Sequence, residues 1–252
     1  MEEIDIFEIK INPVKRSDLV AVIKSNLEKG IQTTQFGVNS ATINELIENE
    51  EYRHAINDAD LLNIDGMSVV WGLRYLGYKV PERVATPDLA DDLIEIAEKQ
   101  NFSIFLLGAN ESILALCVKN LKKSFPGILI AGSHDGYYKQ ENELQIIDLI
   151  NKARPDILLI GMPSPKKELF CQKYKTQLNV KYILGVGGYF DIISGRIKRA
   201  PKWMQNIGLE WTYRLIQEPE RMWRRYLIGT NKFFHAVIKE KRNRKRKLNN
   251  RL

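Results

Sequence analysis

From about residue 30 onward, short apolar runs alternate with longer stretches in which apolar residues recur every three or four positions. The runs "IQTTQF" (31–36), "ADLLNID" (59–65), "FSIFLLG" (102–108), "GILIAG" (127–132), "DILLIG" (156–161) and "KYILGVG" (181–187) have the length and composition of strands. Helical spacing fills the intervals at 41–57, 87–100, 111–124, 141–153 and 164–178. Regular β–α alternation predicts an α/β fold, with a parallel sheet covered by helices on both faces. No internal repeat or low-complexity linker precedes the terminal "KEKRNRKRKLNN".

The last quarter of the chain reads differently. "EWTYRLIQEPERMWRRYL" (210–227) mixes arginines with tryptophans. Pro219 suits the first turn of a helix, where its missing N–H would be unpaired anyway. From there Met222, Trp223, Tyr226, Leu227, Phe233, Phe234, Val237 and Ile238 recur at helical spacing, with Arg221, Arg224, Arg225, Lys232 and Lys239 between them. Such a helix can lie in a headgroup plane, apolar side chains down and cations on anionic lipid. Trp203 and Trp211 are expected to pack inward, and Trp223 and the 232–239 face to meet lipid.

Charge sharpens this division. Residues 196–252 hold 17 lysines and arginines against 4 glutamates, whereas residues 1–195 hold 21 against 27 acidic residues, within a net charge of +7. A mildly acidic core over 1–195 thus carries a basic appendage over 196–252, which calls for an anionic partner. A nucleic acid is one alternative. The core, however, offers no recognition helix or stacking aromatics and is itself negative, so no nucleic-acid partner is expected. The acidic N-terminus is no secretory signal, and no run reaches the ~18 apolar residues of a membrane span. Cys117 and Cys171 lie in apolar helical patterns and are expected to be buried and reduced, in a cytosolic setting.

Open parallel sheets bind ligands at the carboxyl ends of their strands. Those ends read "IDGMS", "LGANES", "AGSHDGYY", "IGMPSPKKE" and "GVGGYFD". Small residues such as Gly108, Gly161 and Gly187 let backbone N–H groups approach an anion, and predict a nucleotide or sugar-nucleotide site. "GVGGYF" misspaces the dinucleotide fingerprint. Asp65, closing "LLNID", sits at that edge, where a carboxylate can serve as general base or as a turn or helix cap. "DAD" (58–60) falls at the opposite edge and reads as a solvated turn. His54, His134 and His235 lack metal-ligand spacing, and neither metal nor cofactor is expected.

The blocks "RVATPDL", "GMPSPKKE", "GVGGYFD", "RAPKWMQNIGLEWTYRL" and "EPERMWRRY" together resemble the WecG/TagA/CpsF glycosyltransferases, glycosyltransferase family 26, over about residues 30–230. The resemblance implies a Rossmann-like core and a metal-independent, inverting transfer from a UDP-sugar to a polyprenyl-diphosphate-linked acceptor. Its setting would be the inner face of the cytoplasmic membrane, in teichoic acid or other cell-surface polysaccharide synthesis. It implies an N-acetylmannosamine-type donor sugar, and subunits that associate into a homo-oligomer through the core. It further implies Asp65 as base, Asn39 and Arg83 in the reacting pocket, and Tyr137 and Asp191 on the nucleotide sugar. Arg214, Arg221 and Arg224 match arginines that meet diphosphate. Two positions depart from the family pattern: Gly37 stands where threonine is frequent, and Lys167 where glutamine is frequent. Gly37 takes a hydroxyl from the site and leaves the donor sugar open, while Lys167 remains compatible with phosphate.

Overall fold

The computed structural model describes residues 2–249, so residues 250–252 of the expected basic appendage lie outside the described residues. The chain opens with a hairpin that the reading from residue 30 did not include: β1 (Ile4–Ile6) and β2 (Ile9–Ile11) pair antiparallel. Phe7 and Glu8 make its two-residue turn at φ 52° and 61°, left-handed values that match the twist of a tight hairpin. Helix α1 (Arg16–Lys29) follows and ends on Gly30 in the left-handed conformation.

Six parallel strands form the main sheet: β3 (Thr33–Val38), β4 (Leu61–Ile64), β5 (Ser103–Gly108), β6 (Leu129–His134), β7 (Ile157–Gly161) and β8 (Tyr182–Gly185), in the order β4-β3-β8-β7-β5-β6. The predicted parallel sheet is therefore present, with strand ends displaced by about two residues at most from each predicted run. The helix expected over 41–57 is two, α2 (Ser40–Glu48) and α3 (Glu50–Asn57). Asn49 separates them in an extended conformation and caps α3 by accepting the Tyr52 N–H at 3.0 Å. Helices α4 (Met67–Tyr75), α5 (Thr86–Gln100), α6 (Glu111–Ser124), α7 (Glu143–Ala153) and α8 (Lys166–Tyr174) complete the alternation.

Side chains alternate across the sheet as strand geometry requires. Ile104, Leu106, Ile157, Leu159 and Leu184 pack beneath α1, α5 and α6. Phe105, Leu107, Leu158, Ile160 and Ile183 pack beneath α2, α3, α4, α7, α8 and the hairpin. Helices on both faces make the sheet a buried layer, with its strand tips as the free edge.

After α9 (Tyr189–Ile193) the chain runs through α10 (Lys202–Asn206), α11 (Glu210–Gln217) and α12 (Pro219–Trp223). A π-helical turn (Arg224–Ile228) then leads into α13 (Gly229–Asn249). Helix α13 corrects one expectation. Its Phe233 and Val237, predicted to dip into lipid, are buried in the protein, as is Met222 on the preceding α12. Phe233 and Val237 seat on α4 at Gly72, where a Cβ would come within 2.8 Å of the Phe233 ring and 3.0 Å of Val237. Asn44 fixes the start of the helix by donating to the Gly229 carbonyl at 2.7 Å. Lys241 lies 3.5 Å over the Tyr75 ring and Arg244 lies 4.8 Å over that of Tyr78, using up part of the basic charge within the fold. Trp203, expected inside, is 62% exposed. Trp211 is half-buried against Tyr226, with ring centroids 5.7 Å apart.

Candidate active site

A cleft of about 860 Å³ runs along the carboxyl ends of the strands. Every strand tip contributes: Gly37 near the end of β3 and Asn39 just past it, Asp65 after β4, Ala109 and Asn110 after β5, Gly136 and Tyr137 after β6, Gly161 closing β7 and Ser164 beyond it, and Gly187 and Asp191 after β8. The topology explains the convergence, since the chain builds outward from β3 to β4, crosses to β5 and β6, and then returns through β7 and β8. A smaller cavity of about 250 Å³ adjoins the cleft, lined by Met67, Trp71, Arg83, Glu210, Trp211 and Tyr226 among others. Asn39, Asp65, Pro87, Ile192, Arg214 and Arg225 line both.

Asp65 stands at this shared wall. Its Oδ1 accepts the Thr86 N–H at 2.8 Å, at the first turn of α5. One oxygen thus caps a helix that starts 21 residues later, and both readings of Asp65, helix cap and cleft carboxylate, describe the same side chain. Asn39 caps α2: its Oδ1 accepts from Ala41 and Thr42 at 3.0 and 3.3 Å, and its own N–H donates to Thr42 Oγ1. With the carbonyl oxygen so used, the amide N–H donors of Asn39 have no partner among the described residues. Asp58 and Asp60, the "DAD" pair, lie at the opposite end of the sheet, on Lys175 and on the Thr34 N–H.

Gly37 has a steric explanation. A Cβ there would collide with Thr86 Oγ1 and come within 2.9 Å of Asp65 Cβ. Gly108, Gly136 and Gly161 pack on one another, a Cβ on Gly108 coming within 2.5 Å of Gly161. Gly108 therefore lies behind the cleft wall, where its neighbours Ala109 and Asn110 are exposed to the cavity. The Lys167 stem crosses Gly185, and its ammonium turns back to Ser164 and to Glu168, whose Oε1 also accepts from Tyr52 at 3.3 Å. Lys167 lines the cleft, yet its charge is matched by a buried carboxylate, so it adds little positive field for a phosphate. Burial beside Glu168 pushes the Tyr52 phenol far above its usual range. Lys166, which sequence reasoning did not assign, lines the cleft as well. Its ammonium donates to the Gly136 carbonyl at 2.7 Å and sits 4.1 Å over the Tyr138 ring. It ties down the loop that carries Tyr137, whose ring is 80% exposed at the rim.

The C-terminal segment supplies the opposite wall. Arg196, Arg214, Arg221 and Arg225 join Lys166 and Lys167 in the cleft, six cationic side chains against Glu45, Asp65 and Asp191. Asp191 and Glu218 hold three of the arginines: Arg196 at 3.2 Å from Asp191, and Arg221 and Arg214 at 2.8 and 3.6 Å from Glu218. Arg214 lies over the turn at Gly187 and Gly188, where a Cβ on Gly188 would come within 2.5 Å of its Nη2. Its Nε is buried with no hydrogen-bond partner. Arg224 is placed outside the cleft, its guanidinium 5.3 Å over the Trp223 ring, and Arg225 takes the inward position. Helical spacing from Arg221 admits both residues, and only the packed helix chooses between them. Arg83 lines the smaller cavity alone of the two, bonded to Glu210 at 2.9 Å. Glu210 also accepts from Arg199, which reaches Asp88 at 2.6 Å, so one carboxylate joins the C-terminal segment to α5 and to Arg83. No cluster of three or more potential metal-ligating side chains occurs among the described residues.

A cleft of this size at the strand tips, cationic on one wall and bearing a carboxylate on the other, is where an open parallel sheet binds a ligand, and its charge suits an anionic one. Comparison with known proteins makes the class a glycosyltransferase. The chain belongs to the glycosyl transferase WecG/TagA/CpsF family, whose sequence pattern matches residues 4–247. It is 32% identical over 243 residues to the N-acetylglucosaminyldiphosphoundecaprenol N-acetyl-beta-D-mannosaminyltransferase of Bacillus spizizenii (strain ATCC 23059 / NRRL B-14472 / W23), covering 93% of each chain. A protein of the same name from Bacillus subtilis (strain 168) is 32% identical over 238 residues, covering 92% of this chain and 91% of the relative.

Proposed function

We propose that the protein transfers an N-acetylmannosamine-type sugar from a UDP-sugar to a sugar carried on a polyprenyl diphosphate, with inversion and without a metal. The observation that carries this reading is the position of Asp65 on the wall shared by the two cavities. The nucleotide sugar occupies the larger cleft, with uridine toward Tyr137 and Asp191 and the diphosphate against Arg214, Arg221 and Arg225. The acceptor sugar enters through the smaller cavity, between Trp71, Trp211 and Arg83. Asp65 takes the proton of the acceptor hydroxyl as its oxygen bonds to the sugar C1. The C1–O bond to UDP breaks on the opposite face, and the electron pair leaves with the β-phosphate. Arginines supply the charge stabilisation for that leaving group, through planar donors suited to phosphate oxygens. Lys167 contributes less, because Glu168 holds its charge.

The names of the two Bacillus relatives support the sugar and the lipid-linked acceptor. Exposed Trp203, Ile207, Ile216, Trp223, Leu227 and Ile228, beside a basic helix, support attachment to the inner face of the cytoplasmic membrane. No described helix is long and apolar enough to cross a membrane. Each lysine or arginine at an anionic surface contributes about 1 kcal/mol.

The test is a donor screen. UDP-sugars are offered with a short-chain polyprenyl-diphosphate N-acetylglucosamine, UDP release is followed in the presence of EDTA, and the product anomer is read by NMR. Release of UDP with an inverted product is expected. An absolute requirement for added divalent metal, or no transfer from any UDP-sugar, overturns the proposal.

A further inference from the structure

Thr86 is the first residue of α5 and is 6% exposed. Its backbone N–H is committed to Asp65, but no described residue takes up its hydroxyl. That hydroxyl occupies the volume a side chain at 37 would need, against Asp65 Cβ, on a residue that lines the larger cleft. Its neighbour Ala85 lines the smaller cavity, whereas Thr86 does not, so the chain turns at this point to present one residue to each side. A hydroxyl with no hydrogen-bond partner among the described residues, on a residue that lines this cleft beside Asp65, is a polar group without a protein partner. Loss of the side chain at 37 is what leaves room for it.

We propose that the Thr86 hydroxyl is a specificity-determining contact to the transferred sugar, hydrogen-bonded to a hydroxyl or acetamido group of its ring. This rests on the assignment of the larger cleft to the nucleotide sugar. It makes residues 37 and 86 a coupled pair, in which a small residue on β3 permits a hydroxyl from α5.

The experiment compares binding of UDP with binding of UDP-N-acetylmannosamine and UDP-N-acetylglucosamine by calorimetry, without acceptor or turnover. The tighter of the two sugars serves as probe. Thr86→Val keeps the shape and removes the hydroxyl. It is expected to weaken the UDP-sugar roughly three- to tenfold, the worth of one hydrogen bond to a neutral group, with UDP itself unchanged. Thr86→Ser is expected to restore the difference, and Thr86→Ala is read in the same way should the valine variant not fold. Unchanged UDP-sugar binding by Thr86→Val overturns the proposal, as does a parallel loss of UDP and UDP-sugar, which is the mark of a merely structural residue. Binding of none of the three ligands by the wild type overturns the nucleotide-sugar assignment, and this proposal with it, a pattern distinct from either of the others.

Discussion

Replacing Phe233 by alanine separates two uses of the apolar residues in α13. Phe233 is 1% exposed, its ring seated on Gly72 and flanked by Phe7 and Phe234 at centroid distances of 6.4 and 5.4 Å. A buried phenylalanine truncated to alanine costs about 3–5 kcal/mol, and a terminal helix able to settle into the gap places this site near 3. Helix α13 touches the core along a single face, so the loss falls on its docking. A cost of about 3 kcal/mol lowers the protection of α13 amides roughly 100-fold in hydrogen exchange. Trp223→Ala, at a residue 42% exposed, leaves that protection within about twofold and weakens pelleting with anionic vesicles. The assay is hydrogen exchange read by mass spectrometry over peptides from 229–246, alongside vesicle sedimentation. Unchanged exchange in Phe233→Ala, with vesicle binding lost, refutes the reasoning and returns Phe233 to the lipid.

Four further outcomes are expected. Asp65→Asn keeps an oxygen for the Thr86 N–H and so keeps the fold, but lowers kcat by roughly 10²- to 10⁴-fold, the usual contribution of a general base; near-normal turnover in the UDP-release assay counts against it. Arg225→Met weakens UDP binding in calorimetry, while Arg224→Met, outside the cleft, leaves it unchanged. Burial pushes the Cys117 thiol up to about 12 and that of Cys171 higher, so native protein resists alkylation by iodoacetamide at pH 8 and both cysteines react only after denaturation. Burial raises the Asp88 pKa, but hydrogen bonding and charge from Arg199 outweigh it and hold the carboxyl below its ordinary 3.8. Its contribution to stability is complete above that value and is lost as pH falls through the lower, folded value, so Asp88→Asn flattens the acid limb of a denaturation profile.

Much of this could be read from the chain, and the failures have physical causes. All six strands were legible, and β5, β7 and β8 as apolar runs, because strands covered on both faces need continuous hydrophobicity; β3 instead buries Thr33, Thr34 and Gln35, and β6 is a half-exposed edge. Their spatial order was not legible, since nothing local in "KYILGVG" records that it pairs with both β3 and β7. The hairpin was available in Ile4, Ile6, Ile9 and Ile11, alternating around a two-residue turn, but the turn residues are phenylalanine and glutamate, not the usual Asn-Gly. The periodicity of α13 gave an apolar stripe without saying whether protein or lipid covers it; the deciding residue, Gly72, lies on another helix. In the same way the vacancy at Gly37 is legible only beside Thr86, 49 positions on. Lys167 reads as a phosphate ligand until Glu168 is seen to hold it.

The strand made last is also the one in the middle. With β8 flanked by β3 and β7, a nascent chain that has not yet released residues 182–185 holds two partial sheets, each with an open inner edge. Unpaired edges template association with other chains. Translation products truncated shortly before residue 182 should accordingly accumulate as insoluble material, although five of the six strands of this sheet have already been synthesised.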